Sequence, residues 1–531
     1  MTDQTADQIA ELTSLAMTLL NSGNFHDSEE ILNTLNLVSP ANFEVLKSLG
    51  ILHATRGQYI KAQEFILHAI EIDNRDPLTH NILSVCFFEA GQYQSALDSA
   101  DRAIARRRNF DAAYNNRGNA LNRLGRHTDA LSAFKTALAI TPGDSEIYVN
   151  IGNVLRDLGQ APAALESIDR AIALNPGIVG AHYNRGNVLQ DLGRHAEALE
   201  SYDKALAINA NHVDSHWNRS VCNLRLGNFE AGWPEYEWRW LRSSAESAPR
   251  HFPFPLWLGQ EDLAGKSILL HREQGLGDSI QFIRYASLVA QLGATVFVEA
   301  YEPLVDLFGS ITEITQVVPR GAAIPAVDFH CPLMSLPLAL GGQAPAASAP
   351  RYLYSSPAKR RKWREELGEA GALNVGVVFS GSRTHRGDQH RSISAAAMFE
   401  ALPAGPAYHV IQTELRESDF HIINTRKDIR YFGDIIDGFE DTAALCEMMD
   451  VVVTVDTSVA HLAGALGRPT WILLPFDPDW RWMLGKDTTH WYSSAKLYRQ
   501  AERADWSLPL TTIGTDLSAL SRSRRAEPNS L

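Results

Sequence analysis

Asp456, Thr457, Ser458 and His461 stand close together in VVVTVDTSVAHLAGALGRPTWILLP, residues 451–475, between two apolar runs. The runs read as buried strands, and the segment between them as a turn entering a helix that Gly467 and Pro469 stop. A helix starts with unpaired N–H groups and the positive end of its dipole. Hydroxyls from Thr457 and Ser458 at that point make a phosphate-binding arrangement, with roughly 0.3–2 kcal/mol from the dipole before individual hydrogen bonds are added. His461 lies one turn further in, on the face that reaches a diphosphate or a sugar hydroxyl. A lone histidine on a buried helix is more often a core residue; here the polar neighbours favour a site.

A second constellation is HREQGLGDSIQFIRY, residues 271–285. Gly275 and Gly277 permit a tight turn with close approach of a ligand. Asp278 then falls near a helix start, either as an ordinary N-cap or as a carboxylate that accepts a proton in a site. Glu273 is a second candidate base. GLGDS does not complete a dinucleotide-binding fingerprint. Further on, PFDPDWRW contributes Asp479, Arg481 and Trp482, the tryptophan serving either as packing or as a wall for a sugar or base. The Asp-x-Asp spacing in FDPDW reads as a structural turn because Pro478 sits inside it.

Several elements are needed to position these residues. From residue 266 the pattern alternates strands and helices. KSILLH and ATVFVEA read as strands with the helix SIQFIRYASLVAQLG between them, and FHCPLMSLPLALG continues that half. LNVGVVFSG, YHVIQT, IRYFGDI, VVVTV and TWILLP form a second strand series. Alternation implies parallel sheets with sites at the strand C-terminal ends. Two such units suggest two facing Rossmann-like domains with a cleft between them.

DTSVAHLAGALGRP is similar to the D-T-G-x-x-H-L-A-A-A-L-G-x-P segment of heptosyltransferase-like glycosyltransferases of GT-B architecture, and LGDSIQFIRY resembles that family's N-terminal Gly-Asp motif. The resemblance spans roughly residues 262–510. It implies that Asp278 is the general base and that Thr457, Ser458 and His461 lie at the donor diphosphate. Ser458 replaces the family's usual glycine. The family's lysine-rich phosphate motif has no recognisable counterpart; GSRTHRGDQHRS stands in its place, with Arg391, joined by Arg383 or His385, as the substitute cation. Gly277, Gln412 in the strand YHVIQT, Asp456 and Trp482 complete the donor-side candidates. GT-B enzymes usually neutralise the leaving diphosphate without a bound metal, so no metal site and no cofactor is expected, only a nucleotide sugar as donor substrate.

The first half is a repeat array. Glycines recur at 23, 57, 91, 125, 159, 193 and 227, every interval being 34. Ala62, Ala96, Ala130, Ala164 and Ala198 follow the middle five by five residues, and Ala16, Gly50, Ser84, Gly118, Gly152, Gly186 and Ser220 precede the glycines by seven. The period and the small contacts between paired helices resemble the tetratricopeptide repeat, which implies an all-α superhelix with a concave groove. Asn116, Asn150, Asn184 and Asn218 recur at one position of four successive repeats, and Asn119, Asn153 and Asn187 follow three of them. Amides carry donors and acceptors, so a row of them suits the backbone of an extended peptide. The metazoan-type O-GlcNAc transferases carry a similar row. WPEYEWRW, with Trp233, Tyr236, Trp238 and Trp240, reads as packing at the joint.

The expected layout is thus seven repeats over residues 9–246, a linker over 247–265, an acceptor-side Rossmann-like domain over 266–355, a nucleotide-sugar domain over 372–515 and a tail over 521–531. It looks like bacterial tetratricopeptide-repeat glycosyltransferases, including those proposed to modify flagellin. A net charge of -14 argues against a partner nucleic acid held on a basic surface. Cys86, Cys222, Cys331 and Cys446 fit no metal spacing and read as reduced thiols of a cytoplasmic protein. No signal peptide and no membrane span is expected. The functional expectation is sugar transfer from a nucleotide sugar to a protein acceptor held by the repeats. Two alternatives are a repeat scaffold with a degenerate, non-catalytic transferase domain, and an active enzyme with a glycan or lipid-linked acceptor.

Overall fold

The computed structural model describes residues 3–242, 250–342, 351–368, 372–384 and 387–526. The chain divides into two compact units, Met1–His212 and Val213–Leu531.

The first unit is built of antiparallel helix pairs, from Asp3–Asn21 with Phe25–Val38 to Val179–Asp191 with His195–Ile208. The turn within each pair explains the glycine period. Gly57 has φ +72°, a conformation that a side chain resists. There Gln58 N donates to His53 O at 2.8 Å and Gly57 N to Ala54 O at 3.0 Å, closing carbonyls that the helix end leaves open. The small residues have the packing role that the period implies. A Cβ on Gly118 would stand 2.6 Å from the Phe134 ring, and one on Gly186 2.4 Å from Tyr202. Ala130, Ala164 and Ala198 are fully buried on the facing helices.

The second unit begins with the last helix pair, Val213–Leu226 and Phe229–Tyr236. The repeat period runs on into this pair, yet its contacts belong with the α/β part of the chain. Trp233 is fully buried, edge-on to Trp480 at 5.4 Å and to Phe282 at 6.1 Å. Phe229 meets Trp491 at 6.2 Å, and Arg225 pairs with Asp477 at 2.7 Å. The joint tryptophan therefore is packing, and large aromatics supply most of the buried area there.

The rest of this unit holds two parallel sheets. β1 (Ser267–His271), β2 (Thr295–Ala300), β3 (Ile314–Pro319) and β4 (Phe329–Pro332) have the order β3-β2-β1-β4. β5 (Asn374–Val378), β6 (Ala407–Val410), β7 (Ile429–Tyr431), β8 (Val451–Val455), β9 (Thr470–Leu474) and β10 (Ala495–Arg499) have the order β10-β9-β8-β5-β6-β7. Both orders reverse direction beside their first strand, the doubly wound arrangement whose ligands bind at the reversal. In the larger sheet that point lies between β5 and β8. β8 is buried along its whole length, as a strand covered on both faces must be.

Two elements differ from the sequence expectation. SIQFIRYASLVAQLG forms two short helices, Leu276–Phe282 and Tyr285–Gln291. At the break, Arg284 Nε donates to Gln281 O at 2.9 Å, replacing a helical partner. The last helix, Ser507–Ala526, runs on through the expected tail boundary, with Ile513 and Leu517 fully buried. Only residues 527–531 of that tail lie outside the described residues.

Candidate functional site

The turns after β1 and β8 come together. A Cβ on Gly277 would stand 3.0 Å from His461 Cδ2 and 3.6 Å from Ser458 Cα. The two motifs thus meet at the N-termini of their helices, Leu276–Phe282 and Ser458–Ala465.

Asp278 caps its own helix, with Gly275 N donating to Oδ2 at 2.8 Å. Its other oxygen accepts from Arg481. Burial pushes the Asp278 carboxyl above its ordinary value, against the pull of Arg481. Arg481 is itself buried and donates from Nε to Gln281 Oε1 at 2.8 Å and from Nη1 to Asp479 Oδ1 at 2.7 Å. Burial works against the Asp479 charge, yet Arg481 holds its carboxyl below the usual range. In FDPDW, then, Asp479 is bound to Arg481 and Asp477 to Arg225.

Asp456 follows β8. Its backbone carbonyl accepts from Arg391 Nη1 at 2.7 Å. Among the described residues no ion pair engages its carboxylate, which burial and then Asp479 push up to about 6, with Trp482, Arg391 and Arg481 acting in the opposite sense. Thr457 N-caps the helix without a side-chain cap bond, and its hydroxyl lies 3.3 Å from that of Thr454. Ser458 is half-buried at the first helical position. His461 Nδ1 is 2.9 Å from the Tyr492 hydroxyl, and its ring stacks on Trp482 at 5.1 Å. Burial, then Arg481, lowers His461 to about 3, so the imidazole is neutral at physiological pH.

Arg391 lies over Gly381, where a Cβ would come within 2.6 Å of Nη2. A residue without a side chain is needed there to admit the guanidinium. Its Nε is buried without a hydrogen-bond partner and lies 3.6 Å from Asp388. Arg391, Asp456, Thr457 and Ser458 thus cluster at the β5–β8 reversal, and the arrangement offers donors to an anion.

Other expected site residues have different work. Gln412 is buried; its Oε1 accepts from Phe379 N at 2.9 Å and Ser380 N at 3.3 Å, and its Nε2 donates to Ser380 Oγ and Glu414 O, each at 2.8 Å. These bonds use the whole amide, so Gln412 braces the turn after β5 and is no donor contact. Trp482 is fully buried, hence core and no exposed wall. Glu273 is locked by Arg239 Nε at 2.8 Å and Met334 N at 3.0 Å, and burial raises its carboxyl above the ordinary value against the pull of Arg239. Arg383 donates to Leu415 O at 3.1 Å and, with Asp388 and Arg416, lines a shallow hollow of ≈ 620 Å³. His385 lies outside the described residues.

Sequence reasoning missed Gln281 and Tyr492. Gln281 stands three residues after Asp278, a helical spacing that would have put both on one face. Nothing in the sequence near Tyr492 points to His461.

The asparagine row is partly spoken for. Asn116 Nδ2 donates to Asn81 Oδ1 and Asn150 Nδ2 to Asn115 Oδ1, each at 2.9 Å. Asn187 is buried and accepts from the Tyr202 hydroxyl at 2.8 Å. Asn184 is half-buried and makes no hydrogen bond among the described residues. Asn218 belongs to the second unit.

Comparison with known proteins identifies the array. Residues 87–145 and 149–213 match the tetratricopeptide repeat family, so the helix pairs over those residues are tetratricopeptide repeats. Protein FlbA of Caulobacter vibrioides is 24% identical over 320 residues, which cover 55% of this chain and 53% of that protein. The chain thus spans about half the length of the curated relative it matches. Among solved structures, a thermophilic tetratricopeptide repeat protein of Thermus thermophilus is 23% identical with a TM-score of 0.32, covering 34% of this chain and 100% of that one. YrrB, described as a repeat protein with an unusual peptide-binding site, is 20% identical with a TM-score of 0.29, covering 35% and 95%. Among the described residues, no helix is long and apolar enough to cross a membrane.

Proposed function

We propose that the chain is a glycosyltransferase of GT-B type, taking a nucleotide sugar as donor and a polypeptide engaged by the repeats as acceptor. The observation that carries this reading is the meeting of GLGDS and DTSVAH, through Gly277 and His461, beside a guanidinium and two hydroxyl side chains at a doubly wound reversal. The leaving diphosphate gains charge as the glycosidic bond breaks. The helix N-terminus at Ser458, the hydroxyls of Thr457 and Ser458, and Arg391 supply the compensating donors without a metal ion. Asp278 is the base in this scheme, and it must exchange its Arg481 contact for the acceptor hydroxyl. Peptide recognition rests on the asparagine row, Asn184 foremost.

The test is calorimetric titration with UDP-, GDP- and ADP-linked sugars, followed by Ser458→Ala and Arg391→Gln. Binding by one donor class that both substitutions weaken supports the reading. Unchanged affinity in both variants would falsify the placement of the diphosphate.

A second reading, a repeat scaffold whose transferase domain binds without transferring, is favoured by one observation. Both Asp278 oxygens are engaged, by Gly275 N and by Arg481. On this reading donor sugars bind and no transfer or hydrolysis occurs, which mass spectrometry of the reaction mixture distinguishes.

A further inference from the structure

Three carboxylates, Asp278, Asp456 and Asp479, surround the one guanidinium of Arg481, and that guanidinium bonds to only two of them. Asp456 is left over. The charged groups that act on it are Arg391, which bonds to its backbone carbonyl and not to its carboxylate, and Asp479 and Arg481 on the loop after β9; His461, one turn into its own helix, is neutral. Trp482 is fully buried, and its indole N–H faces the Asp456 carboxylate and favours its charged form. Gln281, also fully buried, holds Arg481 through Oε1 and leaves Nε2 without a partner. Buried donors without partners are uncommon in folded proteins. The Gln281 amide, held against Arg481, is such a donor, and it points to an acceptor that completes the cluster.

We propose that a diphosphate bound at the N-terminus of the helix Ser458–Ala465 draws one proton from solvent onto Asp456, so that the ligand is held by a carboxylic acid as well as by Arg391 and the helix. This rests on the diphosphate reading above. The physical cause is local charge. A second anion beside an unpaired, half-buried carboxylate raises the cost of keeping that carboxylate ionised. Protonation removes the repulsion and turns an acceptor-only group into a donor to a phosphate oxygen. Free Asp456 already stands at about 6, so little further shift is needed for uptake near neutrality. Binding is tightest where Asp456 is already protonated, below that value, and weakens as pH rises through it, by up to about tenfold per pH unit while the bound form stays protonated. Asp479 is held below the usual carboxylate range by Arg481, and Asp278, which burial raises, keeps its bond to Arg481, so the comparison with Asp456→Asn is what assigns the proton.

The experiment uses the full chain and nucleotide diphosphate sugars linked to uridine, guanosine and adenosine, whose diphosphate diesters do not titrate near neutrality. Affinity is measured at about pH 6, 7 and 8, in buffers of low and high ionisation enthalpy. The expected result is uptake approaching one proton near pH 7 and a fall in affinity of about 10- to 100-fold between pH 6 and 8. In Asp456→Asn, which keeps the shape of the side chain, both the uptake and the pH slope vanish while binding persists. Binding with no proton uptake in the wild type, or uptake retained in Asp456→Asn, overturns the inference and spares the diphosphate reading. No binding of any of the three sugars removes both. Should the variant fail to fold, the wild-type buffer comparison alone decides.

Discussion

Replacing Arg481 by glutamine removes the cation that ties Asp278 and Gln281, after β1, to the loop after β9. The Arg481 side chain is 7% exposed and its Asp278 partner 20%, whereas Asp479 is 39% exposed and reaches water. Asp278 is therefore the group stranded by the change. Removing one partner of a buried pair costs about 3–5 kcal/mol, mostly because the other charge is left uncompensated. For a unit the size of Val213–Leu531, unfolding entropy converts each kcal/mol into about 1.5 °C, so the midpoint should drop by about 4–8 °C. The readout is clean because all 11 tryptophans, from Trp217 to Trp506, fall in this unit. Tryptophan emission on heating reports on it without a contribution from the repeats. Asp278→Asn in the same chain neutralises the stranded group and still offers an oxygen to Gly275 N, so the double variant should regain about 1–3 kcal/mol. A drop below about 2 °C for the single variant, or a double variant no better than additive, would show that Arg481 is solvated and that the pair does not organise the site.

Gly186→Ala places a methyl 2.4 Å from the Tyr202 ring and should destabilise the repeat unit by about 1–3 kcal/mol through overpacking; an unchanged far-UV melting curve would contradict the packing account. His271 and His461 are both lowered to about 3, burial being the main cause. The folded state thus binds fewer protons than the unfolded chain below about pH 6.5, and each histidine removes up to about 1.4 kcal/mol per pH unit as pH falls from there towards 3. His461→Gln should flatten that acid slope in denaturant titrations; the same slope in the variant would mean the ring is solvated. Asn150→Ala breaks the bond to Asn115 and should cost about 0.5–1.5 kcal/mol. Asn184→Ala, with no bond to lose, should leave stability intact and weaken capture of a polypeptide acceptor, and equal stability losses in the two would remove the distinction between them.

The architecture was largely legible because it is carried by local and periodic signals. A left-handed turn admits glycine and little else, so the interval from Gly23 to Gly227 could be counted directly. The strands VVVTV and TWILLP are apolar but for Thr454 and Thr470 because their faces are largely covered, and Gly467 marks the helix end between them. Partnership across the fold was not legible. Asp456, Thr457 and Ser458 stood out by type, yet Gln412 has the same polar character and turned out to be consumed by the backbone of residues 379, 380 and 414. Arg481 and Asp278 are 203 residues apart, and no spacing rule joins them. The break between the units was hidden for a related reason. The period continues through Gly227, and only the contacts of Trp233 and Arg225 assign that last pair to the α/β part.

The identical turns of the repeat unit also bear on how such an array changes over generations. Each joint uses one glycine with φ between +72° and +83° from Gly23 to Gly193, and the two helices of a pair meet through small residues such as Gly118 and Gly186. A duplication or loss of one whole 34-residue cassette therefore keeps each turn and each contact within a pair intact. An insertion of one residue has no such neutrality, since it turns Gly118 or Gly186 away from the ring that its bare Cα accommodates. Copy number is thus the coordinate along which this half of the chain varies most cheaply, while the reading frame within each cassette is held fixed.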